Sequence, residues 1–251
     1  MPWEQCSEQF NSTDADITFK SCDNVLFKIH QKNLETSTGG FAPAGFETLD
    51  ELVPLTETSS TLELLFQYIY PMPQPDIRSL PFDTVAAVAE AAEKYQVYAA
   101  IYNCALVMEM TLPDYAHTIF IHGGRHGHKF LLGKAAPYLI GMPLDEMVSE
   151  LPGHLIVPWI KYHMTWQNIL HEARSYPYKN DIQFWEKYPQ IVMKHMSELE
   201  DVKDLKDLTA VSERIKIDGG FSISAYLLSW RNTIESNIER MKSFDWTRND
   251  F

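Results

Sequence analysis

The first fifty-odd residues carry short apolar runs with polar breaks, and the later ones carry apolar residues three and four apart. Asp16-Ile17-Thr18-Phe19-Lys20-Ser21 and Val25-Leu26-Phe27-Lys28-Ile29-His30 are alternating or apolar runs on either side of the polar cluster Ser21-Cys22-Asp23-Asn24. That arrangement predicts two strands joined as a hairpin. Gln31 to Ser37 reads as a short helix stopped by Gly39-Gly40, and the stretch that follows it has no clear period. Glu51-Leu52-Val53-Pro54-Leu55 predicts a third strand, and Pro54, which has no N–H to give to a neighbour, places it at a sheet edge.

From Ser60 the period changes. Ser60-Thr61-Leu62-Glu63 has capping-box spacing, and Leu62, Leu65, Phe66 and Ile69 fall on one helical face before Pro71, Pro73 and Pro75. A second helix is expected from about Phe82 to Tyr95 with Val85, Val88, Ala89 and Ala92 inward. A third is expected from about Ala99 to Met110 with Ile101, Ala105, Met108 and Leu112 in line. Beyond Leu112-Pro113 nearly every periodic segment is helical, including a stripe of Trp159, Tyr162, Trp166, Ile169, Leu170 and Ala173. A last helix carries Ile223, Leu227, Trp230, Ile234, Ile238 and Met241 inward, with Arg231, Glu235, Glu239 and Lys242 on its solvated face. The charge-dense run from Ser197 to Leu208 reads as an exposed helix. The pattern therefore divides into a polar leader (1–13), an α+β unit (14–110) and an all-helical unit (111–251).

Composition narrows the function classes. The chain has 251 residues, 45% hydrophobic and 22% charged, enough to bury a sizeable core and unlike a disordered chain. Its formal net charge of −13 opposes binding to phosphate backbones and anionic membranes, so neither nucleic acid nor membrane is an expected partner. No apolar run approaches the length of a membrane span, and the polar start lacks the features of a signal peptide, so an intracellular protein, cytoplasmic or nuclear, is expected. Three separated cysteines, Cys6, Cys22 and Cys104, read as reduced thiols, and Cys104 as a packing residue on a helical stripe.

The strongest enzyme signal is His117, His122, His126 and His128, four imidazoles within twelve residues. Imidazole is a common metal ligand, and His122 and His126 would share a helical face. Gly123, Gly124 and Gly127 argue against that: a helix ending at Gly123-Gly124, a turn at His126-Gly127 and a new helix from His128 account for the pattern without a metal. A metal-dependent hydrolase built on these four residues is the alternative from the enzyme class. The paired glycines lack the surroundings of a phosphate loop, and no Gly-x-Ser-x-Gly elbow is present, so neither catalysis nor a cofactor is expected.

One resemblance gives this frame a name. Asp16-Ile17-Thr18-Phe19, then Phe27-Lys28-Ile29-His30, then Leu34 and Ser37, followed by the helix ending Tyr68-Ile69-Tyr70 and the pair of helices after it, resembles a BTB/POZ domain over roughly residues 14 to 110. It is closest to divergent BTB proteins of mushroom-forming fungi that carry a helical C-terminal region. The resemblance implies a non-catalytic protein–protein interaction domain, often homodimeric, with Asp16, His30, Leu34, Tyr68 and Tyr70 as structural signature residues. Gln31 stands where transcription-factor members carry a cation, so their charged inter-protomer pocket is not expected. Trp3 and Phe10, large apolar residues in a polar leader, together with Leu34, are the candidate self-association residues. A substrate adaptor for a cullin-type ubiquitin ligase is the alternative role, resting on the apolar-x-Glu form of Leu49-Asp50-Glu51.

Overall fold

A computed structural model describes residues 5–41, 52–180, 182–215, 221–241 and 244–246. The chain is mixed α+β and divides into two units, Met1–Tyr115 and Ala116–Phe251.

Unit 1 holds a sheet of four strands in the order β1-β3-β2-β4, made from β1 (Gln5–Asn11), β2 (Ile17–Lys20), β3 (Val25–Ile29) and β4 (Leu52–Pro54). The hairpin forms as its pattern predicts: β2 and β3 run antiparallel with Ile17 opposite Ile29 and Phe19 opposite Phe27. Asn24 closes the turn in the left-handed region at φ 69°, which Asn tolerates better than most residues. β4 lies at the edge beside β2, where the missing N–H of Pro54 does no harm.

The leader is corrected by the sheet. Part of it, β1, pairs in parallel with β3, with an irregular register between Cys6 and Asn11. Its buried residues, Ser7 and Phe10, are three apart rather than two, so no alternating pattern announces the strand. Ser7 donates to the Glu63 carboxylate at 2.9 Å and accepts from the Phe10 amide at 3.0 Å, which satisfies the polar group that the irregularity buries.

α1 (Gln31–Ser37) begins where the Asp16 carboxylate accepts from the Gln31 amide at 3.0 Å. α2 (Ser59–Gln67) starts earlier than its capping-box spacing suggests: the N-cap is Thr58, and Glu63 is turned toward Ser7 instead of back to the cap. Leu62, Leu65, Phe66 and Ile69 are all buried, and Phe66 sits among Phe10, Phe19, Phe27 and Phe41 at ring separations of 5.4 to 6.3 Å. α3 (Phe82–Tyr95) buries its expected stripe. α4 (Tyr98–Met110) buries Ala100, Cys104, Val107 and Met108, a face rotated by about one residue from the expected Ile101, Ala105, Met108 and Leu112.

Unit 2 is helical throughout the residues described. It comprises α5 (Ala116–His126), α6 (Lys129–Leu139), α7 (Leu144–Glu150), α8 (Gly153–Asn180), α9 (Ile182–Lys187), α10 (Pro189–Ser197), α11 (Leu208–Ile215) and α12 (Phe221–Met241). The expected α8 stripe is buried in full. Trp246 closes over it, with ring separations of 4.9 Å to Tyr162 and 5.2 Å to Phe120. On α12, Leu227, Trp230, Ile234 and Met241 are buried, while Glu235 and Glu239 are exposed.

The run from Ser197 to Leu208 is not an exposed helix. Leu199, Val202, Leu205 and Leu208 are buried, and a 3-10 helix spans Val202–Asp207. An apolar residue every third position makes one face of a 3-10 helix, while an α-helix would smear it around the axis. Asp201 and Asp204 cap that turn reciprocally. No helix among the described residues is long and apolar enough to cross a membrane.

Candidate functional site

The strand–helix corner of unit 1 gathers the signature residues. His30 follows β3 and stands at the N-cap of α1; its amide donates to the Tyr70 hydroxyl at 3.0 Å, and its Nδ1 lies 2.8 Å from the same oxygen. The other ring nitrogen, Nε2, is 3.3 Å from the Asp14 carboxylate. Burial raises the pKa of Tyr70, so its hydroxyl keeps its proton and serves as a hydrogen-bonding hub. Tyr68 is buried, accepts from the Asn103 side chain at 2.9 Å, and has its pKa pushed up to about 12, chiefly by burial. These contacts tie the segment that follows α2 to the end of β3 and to α4.

Two of the three candidate self-association residues are corrected. Phe10 and Leu34 are buried in the core of unit 1 itself, so their apolar area is already covered by their own chain. Trp3 lies outside the described residues, as do Leu49 and Glu51.

A different apolar surface is present. On α4, Tyr98, Tyr102, Leu106 and Met110 follow one another at i, i+4, i+8 and i+12 and are 64, 69, 40 and 68% exposed. Adjacent residues at this spacing form one stripe on the opposite side from Ala100, Cys104 and Val107. The sequence carries the signal, because between Tyr98 and Met110 only Asn103 and Glu109 interrupt the apolar residues. A helix that is apolar all round either is buried on every side or offers a face to something else. Reading a single inward stripe from this segment misses the second face.

Cys104 lies on the inner side of α4, and its thiol pKa is pushed up to about 12 by burial, with a smaller contribution from the charge of Glu93. Thiolate chemistry is closed to such a group at neutral pH.

In unit 2 the histidines stand differently from their sequence reading. α5 continues through Gly123 and Gly124 and ends at His126, so His122 and His126 do share one helix face. The two glycines serve packing. A Cβ on Gly123 would sit 3.2 Å from Leu131 Cβ and 3.3 Å from the His128 carbonyl, so its absence lets α6 close on α5. The true stop is Gly127, left-handed at φ 78°. Past it, the His128 amide donates to the Gly123 carbonyl at 2.8 Å, the six-residue closure of a Schellman motif. That closure folds His128 back onto the face carrying His122. The ring centroids of His122 lie 4.7 Å from His126 and 5.7 Å from His128, and His126 and His128 are 6.5 Å apart. His117 stands apart from the three, its Nε2 3.5 Å from the Glu150 carboxylate on α7.

Neither the protein-family models nor the curated proteins compared with this chain give a match.

Proposed function

We propose that the chain is a non-catalytic protein–protein interaction module whose first unit is a BTB/POZ domain, and that it self-associates through the exposed face of α4. The observation that carries this reading is the stripe of Tyr98, Tyr102, Leu106 and Met110. Tyrosine and methionine are enriched at protein interfaces, where a rigid ring or an adaptable thioether covers much area at little entropic cost. The four stripe side chains carry no charge; Glu109, three residues beyond Leu106 on the same side of the helix, is half-buried. A two-fold arrangement would bury each of these side chains once in each protomer.

Further support comes from unit 1 itself. A hairpin, a short helix, an edge strand and then three helices follow in the order in which the resembling motifs occur, and the signature residues Asp16, His30, Leu34, Tyr68 and Tyr70 all make internal contacts.

Light scattering coupled to gel filtration on the full chain tests this. The wild type is expected to run as a dimer at tens of micromolar, and Tyr102→Ser/Met110→Ser as a monomer. A monomeric wild type, or a dimer that survives both substitutions, overturns self-association through α4.

A further inference from the structure

The corner between α5 and α6 gathers three imidazoles, and no part of the interaction reading uses them. We propose that His122, His126 and His128 together bind one divalent transition-metal ion of borderline softness, with zinc(II) as the best fit. This proposal stands independently of the α4 reading.

Three observations converge on it. First, the donor set suits the ion class: neutral imidazoles favour zinc, copper and nickel over calcium or magnesium, which prefer oxygen. Second, the spacing suits one ion. Two imidazoles on a tetrahedral zinc have ring centroids roughly 5 Å apart, given metal–nitrogen distances of about 2 Å. The pair separations here, 4.7, 5.7 and 6.5 Å, straddle that value. A ring nitrogen of His122 already lies within 4.8 Å of one on His126, and a ring nitrogen of His122 lies within 4.8 Å of one on His128. His126 and His128, whose ring centroids are 6.5 Å apart, would have to close on one ion by side-chain rotation as it binds.

Third, the backbone around the three residues is built rather than incidental. His122 and His126 are one helical turn apart on α5, and His128 is fixed by the left-handed Gly127 and the amide-to-carbonyl closure onto Gly123. Loop entropy is therefore already spent before an ion arrives, which is the condition for tight binding by so few ligands. The acidic charge of the chain also raises the local concentration of cations. Three protein ligands leave one position of a tetrahedral ion for water or another donor. The ion would join α5 to α6 across their corner.

Titration calorimetry on the chelator-stripped full chain with zinc chloride at pH 7.5 reads the site. One ion per chain is expected, with micromolar or tighter affinity and a rise in Tm. His126→Gln and His128→Gln are each expected to weaken binding about tenfold or more. His117→Gln, outside the cluster, should bind as the wild type does. Because the ligands must be unprotonated, affinity should fall on going from pH 7.5 to pH 5.5. Cobalt(II) gives a second readout: visible absorption bands of a tetrahedral centre in the wild type, lost in His126→Gln. Both substituted side chains are half-buried, so circular dichroism should show native helicity in these variants. Zinc bound equally by all variants, or no binding at tens of micromolar, overturns the proposal.

Discussion

At the middle of unit 1, Phe66 is ringed by Phe10, Phe19, Phe27 and Phe41, rings that carry no hydrogen-bonding atom. Unit 2 fills the corresponding volume with rings that carry a nitrogen or an oxygen. His195 is fully buried with its Nε2 2.9 Å from the Ala173 carbonyl, and Trp230 donates its Nε1–H to the same oxygen at 3.3 Å. Both cores exclude water by similar means, but the second holds a buried imidazole that mild acid can reach, whereas Tyr68 and Cys104, buried in the first, are pushed up to about 12. Stability in the first should depend on shape, and in the second on protonation as well.

The largest effect expected from this difference belongs to Phe66→Ala. Truncating a fully buried ring costs about 3 to 5 kcal/mol, through lost transfer energy and the cavity left behind. Four neighbouring rings lose a contact at once. Of the six tryptophans all but Trp3 lie in unit 2, so tryptophan fluorescence follows that unit while far-ultraviolet circular dichroism follows both. In urea, the dichroism midpoint of Phe66→Ala should fall well below wild type, with the fluorescence midpoint moving less. A fluorescence midpoint that dropped just as far would dissolve the distinction between the two cores.

Acid should act the other way round. Burial pushes the His195 pKa down to about 4, against which the hydrogen bond to Ala173 works only in part. In the unfolded chain the same imidazole takes its proton near pH 6.5. Between those values the unfolded state binds more protons, so stability present above pH 6.5 is lost progressively as the pH falls to 4, by about 3 kcal/mol in all. Unit 1 answers lower on the scale. The Ser21 and Ser59 hydroxyls hold the exposed Asp23 carboxylate at about 2, so its titration falls below that window. Urea midpoints read by tryptophan fluorescence at pH 7, 5.5 and 4.5 should therefore decline, and His195→Gln should flatten the decline. A slope unchanged by that substitution would remove His195 as its source.

How much of this was legible in the sequence follows from what each element needs. The hairpin, α3 and the α8 stripe were legible because one face of each is buried against its own unit, which writes the period directly into the residues. β1 was not, because its irregular register sets Ser7 and Phe10 three apart and hides the alternation. The 3-10 helix at Val202–Asp207 looks exposed in sequence because its charge density outweighs a three-residue apolar repeat that belongs to a rarer helix. The histidine corner is ambiguous in sequence at its glycines. Gly123-Gly124 looks the same in sequence whether it ends a helix or admits a neighbour, and only the position of Leu131 separates the two. What Gly127 does to the chain direction, and so what His128 sits beside, is tertiary information.

The smallest effect on stability is expected where the proposed effect on function is greatest. α4 has two faces: Cys104 and Met108 on one are buried, while Tyr102 and Met110 on the other are more than half exposed. Truncating the inner face would open a cavity, whereas the outer side chains are already surrounded by solvent in a single chain and have little to lose. Tyr102→Ser/Met110→Ser should therefore change the unfolding free energy of a dilute sample by no more than about 0.5 kcal/mol. At higher protein concentration the wild type should gain stability that the variant does not, because association draws on the folded state alone. Thermal melts at one and at fifty micromolar separate these contributions. A wild-type Tm that stays constant over that range, or rises equally in the variant, would leave the outer face of α4 without an energetic part in assembly. A concentration-dependent rise confined to the wild type would tie the exposed stripe to it.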